Sequence, residues 1–133
     1  MGILLDTDVV IHLRDGEQSV RTRLRTLDPP LAISAIGRIE LENGVYRDLQ
    51  WQSVRRAALD TILEFVQTLE MNSAEISAYR GILEVTGFSK RKIADRITAA
   101  TALVHNLELV TMNGKDFRDV PGLKLIEWEA PAV

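Results

Sequence analysis

The order of short apolar runs and longer helical stretches predicts an α/β protein, a three-layer α/β/α sandwich around a central, mainly parallel sheet. Three observations carry it. Residues 2–5 and 107–111 are short, largely apolar runs, as expected of strands buried on both faces. Between such runs lie segments with apolar residues at 3.6-residue spacing, long enough for crossover helices. Strand–helix–strand order then calls for parallel pairing, with helices on both faces of the sheet.

The chain opens on Gly2-Ile3-Leu4-Leu5, a strand that stops abruptly at Asp6. Val9, Val10, Ile11 and Leu13 lead into a short helix or turn ending near Asp15-Gly16. Residues 19–27 are basic and helical in tendency, and Pro29-Pro30 breaks them off. Leu31-Ala32-Ile33 is a second strand. Ser34 is placed to cap a helix running through Glu40 to about Asp48. Ser53 is expected to cap a third helix, with Val54, Ala58, Ile62, Val66 and Leu69 on one face. Ser73 is expected to cap the next, which ends at Gly87. Residues 93–106 are Ala-rich and helical, 107–111 form a strand, Asn113-Gly114 a turn, and 123–128 a last strand. Residues 130–133 read as a loose tail, and residues 1–133 as one domain with no internal repeat.

Composition narrows the chemistry. The 133 residues are 46% hydrophobic, ordinary for a globular protein with a real core. With no cysteine, disulfides and thiolate metal sites are excluded, and a cytoplasmic setting fits. No apolar run approaches the ~20 residues that span a bilayer, and the acidic start does not read as a signal peptide. A net charge of −3 argues against coating nucleic acid by bulk charge, yet allows an acidic site beside a local basic patch. The two histidines, His12 and His105, leave any metal site resting on oxygen ligands, which suits Mg²⁺ or Mn²⁺. Neither histidine reads as a ligand; His105 near a helix end favours the dipole there.

The acids are the informative residues. Asp6 and Asp8 follow the first strand, and Asp116 and Asp119 follow the 107–111 strand, so both groups are expected on the same rim of the sheet. In parallel sheets that carboxyl-end rim is where ligands bind. Asp95 lies near the start of the Ala-rich helix, and Glu40 about six residues into another. Singly, each has an ordinary reading as a turn, cap or surface acid. Together they repel one another, an arrangement folds tolerate mainly where a cation neutralises it. Such a cation can activate water for phosphoryl chemistry.

Four segments then resemble the PIN domain, and specifically VapC-type toxin ribonucleases. They are Ile3-Leu4-Leu5-Asp6-Thr7-Asp8-Val9-Val10; Ser34-Ala35-Ile36-Gly37-Arg38-Ile39-Glu40-Leu41-Glu42-Asn43-Gly44; Ile93-Ala94-Asp95-Arg96-Ile97-Thr98-Ala99-Ala100-Thr101-Ala102-Leu103; and Leu109-Val110-Thr111-Met112-Asn113-Gly114-Lys115-Asp116-Phe117. The resemblance spans nearly the whole chain. It implies a PIN-like fold, a metal-binding and catalytic quartet of Asp6, Glu40, Asp95 and Asp116, and pocket-shaping roles for Thr7, Thr111 and Asn113. It further implies a Mg²⁺- or Mn²⁺-dependent endoribonuclease acting on an RNA substrate, a homodimer, and a VapB-like antitoxin that holds it inactive. Two departures stand out: Asp8 replaces the family's Asn and adds a carboxylate to the pocket, and Thr98 replaces the commoner Ile, a change expected to affect packing only. Asp119 is either an outer-shell acid or a turn acid.

Lys90, Arg91, Lys92 and Arg96 are the expected RNA-contacting cations beside Asp95, the ordinary alternative being a solvated face. Arg14, Arg21, Arg23 and Arg25 form a second basic patch. Apolar faces near residues 54–69 and 76–83 are core, with parts available to a dimer contact or an antitoxin groove. Two other functions compete. Leu5-Asp6-Thr7-Asp8-Val9 also fits the first motif of haloacid-dehalogenase-like phosphatases, with Asp6 as nucleophile, but leaves Glu40 and the Asp95 helix unexplained. A PIN-like module that binds RNA or a partner without cutting is the non-enzyme reading.

Overall fold

The computed structural model describes residues 2–132; Met1 and Val133, the ends of the expected domain and tail, lie outside the described residues. The elements run β1 (Ile3–Leu5), α1 (Thr7–Arg14), α2 (Gln18–Leu24), β2 (Leu31–Ser34), α3 (Ala35–Tyr46), α4 (Gln52–Leu63), β3 (Val66–Leu69), α5 (Ser73–Thr86), α6 (Ile93–His105), β4 (Glu108–Thr111) and β5 (Lys124–Glu127). Single 3₁₀ turns at Leu49–Trp51, Lys90–Lys92 and Gly114–Asp116 lie between them.

All four strand pairings are parallel, in the order β3-β2-β1-β4-β5. The pleat divides the core in two. Ile3, Leu5, Ile33 and Val110 point to one face and pack against Val9, Val10 and Leu13 of α1, Val20 and Leu24 of α2, Leu41 and Val45 of α3, and Leu59 and Ile62 of α4. Leu4, Ala32 and Leu109 point to the other, against Ile82 of α5 and Ala99, Ala100 and Ala102 of α6. Alternate residues of one strand thus feed opposite cores, giving the expected three-layer sandwich. The small alanines let α6 lie close on the sheet.

The strand order fixes where a site can form. From β1 the chain departs towards β2; from its neighbour β4 it departs the opposite way, towards β5. The carboxyl ends of β1 and β4 therefore flank a topological switch point, the crevice where open α/β sheets bind ligands. Asp6 follows β1, and Thr111 closes β4.

Several boundaries differ from the sequence expectation. Val66 and Leu69, expected on a helix face, form strand β3, in register with Leu31 and Ser34 of β2. The helix α4 stops at Leu63 with no Gly or Pro to mark it, and the Ile62–Val66 spacing matches a helical period by coincidence. Pairing with β2, which would otherwise end the sheet as a bare edge, decides the outcome. Ser53 caps nothing: Asp48 caps the 3₁₀ turn before α4, accepting from Gln50 N. Asn72, not Ser73, caps α5, in a capping box with Glu75. His105, expected at a helix dipole, also lies with Nε2 3.2 Å from the buried Glu75 carboxylate.

Ser34 caps α3 as expected, accepting from Gly37 N at 3.1 Å. The same hydroxyl lies 3.1 Å from Thr98 Oγ1 in α6, both buried. Thr98 therefore makes a polar bridge between two site helices, beyond the packing change expected of it. Ser34→Ala removes both bonds and is expected to destabilise the protein by about 1–2 kcal/mol. Thr98→Val is expected to leave the cap intact and lose less, which urea unfolding of the two variants checks.

Candidate metal-binding active site

The acids reach the switch point from four elements, Asp6 and Asp8 both from the start of α1. Asp6 is the N-cap of α1: its Oδ1 accepts from Thr7 N at 2.9 Å, and its Oδ2 from the buried Thr111 hydroxyl at 2.7 Å. Asp8, in the first turn of α1, accepts from Met112 N through Oδ2 at 3.2 Å. Its Oδ1 is buried with no hydrogen-bond partner. Glu40 stands exposed on α3 and accepts the Thr7 hydroxyl at 2.8 Å. Gly37 allows this approach, since a Cβ there would stand 3.2 Å from Thr7 Oγ1 and 3.1 Å from Ser34 Oγ. Asp95 lies half-buried in the first turn of α6. Asp116 closes the 3₁₀ turn after β4, buried, bonded by the Asn113 amide and faced by Arg91 Nη1 at 3.3 Å.

The structure therefore brings together Asp6, Asp8, Glu40, Asp95 and Asp116, with Thr7, Thr111 and Asn113 as hydrogen-bonding supports. Their electrostatics agree with the crowding. Burial, then the Asp8 charge, pushes Asp6 up to about 7. Burial, then the charges of Asp6, Asp116 and Glu40, pushes Asp95 up to about 6. Asp8 is also raised, chiefly by burial. Asp116 goes the other way: burial alone would raise it, but the Asn113 amide and Arg91 hold it below the usual carboxylate range.

Among the described residues no three His, Asp or Glu side chains already stand as a finished metal cage. Asp6 is engaged by Thr7 and Thr111, and Asp116 is turned towards Asn113 and Arg91. The donor set nevertheless fits a hard divalent cation. It is all oxygen, burial and then neighbouring negative charge raise the pKa of Asp6 and Asp95, and Asp8 Oδ1 is buried with no hydrogen-bond partner.

The basic residues separate. Lys90 and Arg91 are exposed on the turn before α6, and Lys92 lies mostly covered, 3.9 Å from Asp116 Oδ1. Arg96, expected with them at the RNA rim, is 3% exposed and turned inward. It grips Asp119 through two bonds of 2.7 and 2.8 Å and donates to the Asp116 carbonyl at 3.3 Å. Asp119 is thus an ion-pair partner tied to the Asp116 loop, a role that no single-residue signal in the sequence indicated. Of the second patch, Arg14 is buried beside Asp15, Arg23 lies over the Trp128 ring at 5.1 Å, and Arg21 and Arg25 are exposed. The last two line an apolar cavity of about 550 Å³ with Leu13, Leu24, Ile62 and Phe65.

Comparison with known proteins gives one consistent result. The PIN domain family model matches residues 3–123. A protein of Rickettsia felis named Ribonuclease VapC1 is 30% identical over 134 residues, covering 95% of this chain and 96% of that protein. The crystal structure of VapBC2 from Rickettsia felis, bound to a DNA fragment from their promoter, contains a chain that superposes with a TM-score of 0.86 at 26% identity, covering 97% of this chain and all of that one. VapBC-1 from nontypeable Haemophilus influenzae gives a TM-score of 0.78 at 26% identity, covering 96% and 98%.

The raised acids imply a pH dependence in the cation-free protein. The folded state holds protons on Asp6 and Asp95 that the unfolded chain releases near 3.8. Stability therefore falls as pH rises from about 4 through about 7. The lowered acids Asp116, Asp119 and Glu42 lose their stabilising contribution as pH falls and have regained it by about pH 5, so they do not offset the fall above that. The melting temperature is expected to drop between about pH 5 and about pH 7.5, and Asp6→Asn to flatten that slope. A melting temperature that rises over the same interval would contradict the crowded-acid account.

Proposed function

The chain belongs to the PIN-domain family, and on that premise we propose that it is the ribonuclease toxin of a toxin–antitoxin pair, a cytoplasmic endonuclease that hydrolyses RNA phosphodiester bonds at its carboxylate rim. The observation that carries the reading is the convergence of Asp6, Asp95 and Asp116 from three separate elements at the switch point, with the pKa of Asp6 and of Asp95 raised there. No helix among the described residues is long and apolar enough to cross a membrane.

Asp6, Asp95 and Asp116 would hold a divalent cation, Mg²⁺ or Mn²⁺, with Asp8 or Glu40 completing the set. When bound, such an ion lowers the pKa of water and polarises a phosphate. The remaining work falls to the chain. Thr111 and the Thr7 amide fix both oxygens of Asp6, so its carboxylate is preorganised. Thr7 ties Glu40 to the same turn, leaving the exposed Glu40 carboxylate free to orient water and accept its proton. Exposed Lys90 and Arg91 border the acids and are suited to steer the phosphate backbone. Among the described residues no lysine is paired with Asp6, the nucleophile a phosphatase would use: Lys92 faces Asp116 at 3.9 Å, and Lys115 is exposed.

Incubation with a panel of RNAs, with Mg²⁺, Mn²⁺ or EDTA, tests the reading. Cleavage is expected only with the cation. Asp6→Asn and Asp95→Asn are expected to lower it at least about 100-fold while remaining folded. Near wild-type cutting by both variants would remove these residues from the mechanism. RNA binding that ignores EDTA, without cleavage, would favour the non-cutting module.

The antitoxin partner is best accommodated at the cavity between α1, α2 and α4. Its apolar lining takes bulky anchors, and Arg21 and Arg25 at its edge favour an acidic flank. Arg21→Glu with Arg25→Glu is expected to weaken co-purification of a co-expressed VapB-like antitoxin without altering RNA cleavage by the free enzyme. Unchanged co-purification would place the antitoxin elsewhere.

A further inference from the structure

We propose that Arg96 and Asp119 are a positioning pair, which sets the spacing between Asp95 and Asp116 and thereby how tightly the site takes a divalent cation. The inference rests on reading those two acids as ligands. Arg96 adjoins Asp95 in the first turns of α6, so its backbone moves with that acid. Its guanidinium reaches the loop after β4 and holds it twice, by the Asp116 carbonyl and by both Asp119 oxygens. Two ligand-bearing segments far apart in sequence are thereby joined through one planar side chain. A bidentate arginine–carboxylate pair fixes angle as well as distance, which a single hydrogen bond does not.

Stability alone does not account for an arginine here. The side chain is 3% exposed, and its Nε has no hydrogen-bond partner. Burying a charged group with an unmet donor is unfavourable, and an apolar residue of similar size is often as stable or more so. What an apolar residue lacks is direction. The same loop is tied at its other side to β5. There Arg118 Nε donates to Glu127 at 3.1 Å, and the Glu127 side chain lies over Gly114, where a Cβ would stand 2.0 Å from Oε1. With β5 holding one side, Arg96 ties the backbone of the Asp116 loop to α6, while Arg91 and Lys92 from the preceding turn reach only the Asp116 carboxylate.

The test is Mn²⁺ binding to the metal-stripped protein, read by the electron paramagnetic resonance signal of free Mn²⁺. Asp119→Asn is the first variant because Asp119 is half exposed, so the fold tolerates its change. It and Arg96→Met are expected to weaken Mn²⁺ binding by about 10- to 100-fold, with Asp119→Glu recovering part of the loss. Circular dichroism and thermal unfolding report whether each variant is folded, and any folded member of the set decides. Wild-type binding, within about twofold, by folded Asp119→Asn would overturn the proposal. Asp95→Asn and Asp116→Asn run in the same titration: if they too bind normally, the ligand reading fails; if they lose binding and Asp119→Asn does not, only the positioning role fails.

Discussion

Five carboxylates share one rim, and their mutual repulsion is the constraint around which the rest is arranged. Burial raises the pKa of Asp6 and Asp95, and the charge of neighbouring acids adds to it. Asp116 escapes by taking the Asn113 amide and the Arg91 guanidinium. The protein answers the same strain with backbone and hydroxyl donors: the Thr7 amide and the Thr111 hydroxyl for Asp6, the Met112 amide for Asp8. None of these donors removes net charge. Asp6, Asp8 and Glu40 meet only neutral donors, and that uncompensated charge is what the proposed cation would neutralise.

The parallel sheet makes such a gathering possible without long loops. Strands β1 and β4 are neighbours whose chain continuations diverge, so Asp6 and the Asn113–Asp116 turn meet over their carboxyl ends. The helices α3 and α6 bring Glu40 and Asp95 from opposite faces of the sheet. They are joined over its edge by the buried Ser34–Thr98 contact. Every acid thus sits within a turn or two of a strand end or helix start, where the backbone is well determined.

Much of this was legible in the sequence because acids at strand ends are a local signal. Asp6 after Leu5 and Asp116 after the β4 run are readable residue by residue, and the parallel sheet follows from element order. Glu40 was not: six residues into a helix, its direction depends on how α3 packs, and only its family resemblance pointed to the site. Strand β3 was hidden for a related reason. Val66 and Leu69 continue a helical period, and the reason they leave it, pairing with β2, lies more than thirty residues away. Arg96 shows the same limit for charge. A basic run beside an acid reads as a rim, yet the turn of α6 sends Arg96 inward to Asp119 while Lys90 and Arg91 stay outside.

Asp8 bears on how many cations the rim is built to hold. With asparagine at this position, an amide could accept from Met112 and still donate to a neighbouring acid. Asp8 can only accept when ionised, and one of its oxygens is left buried with nothing to accept from. Such an oxygen is unfavourable in a protein standing alone and favourable beside a cation, because ionisation then neutralises rather than adds charge. The charge of Asp8 also raises the Asp6 pKa, so the rim holds protons more readily than it would with asparagine there. On the proposed metal-site reading, protons and cations would compete for the same oxygens more directly than over an asparagine, and cation affinity would be steeper in pH for that reason.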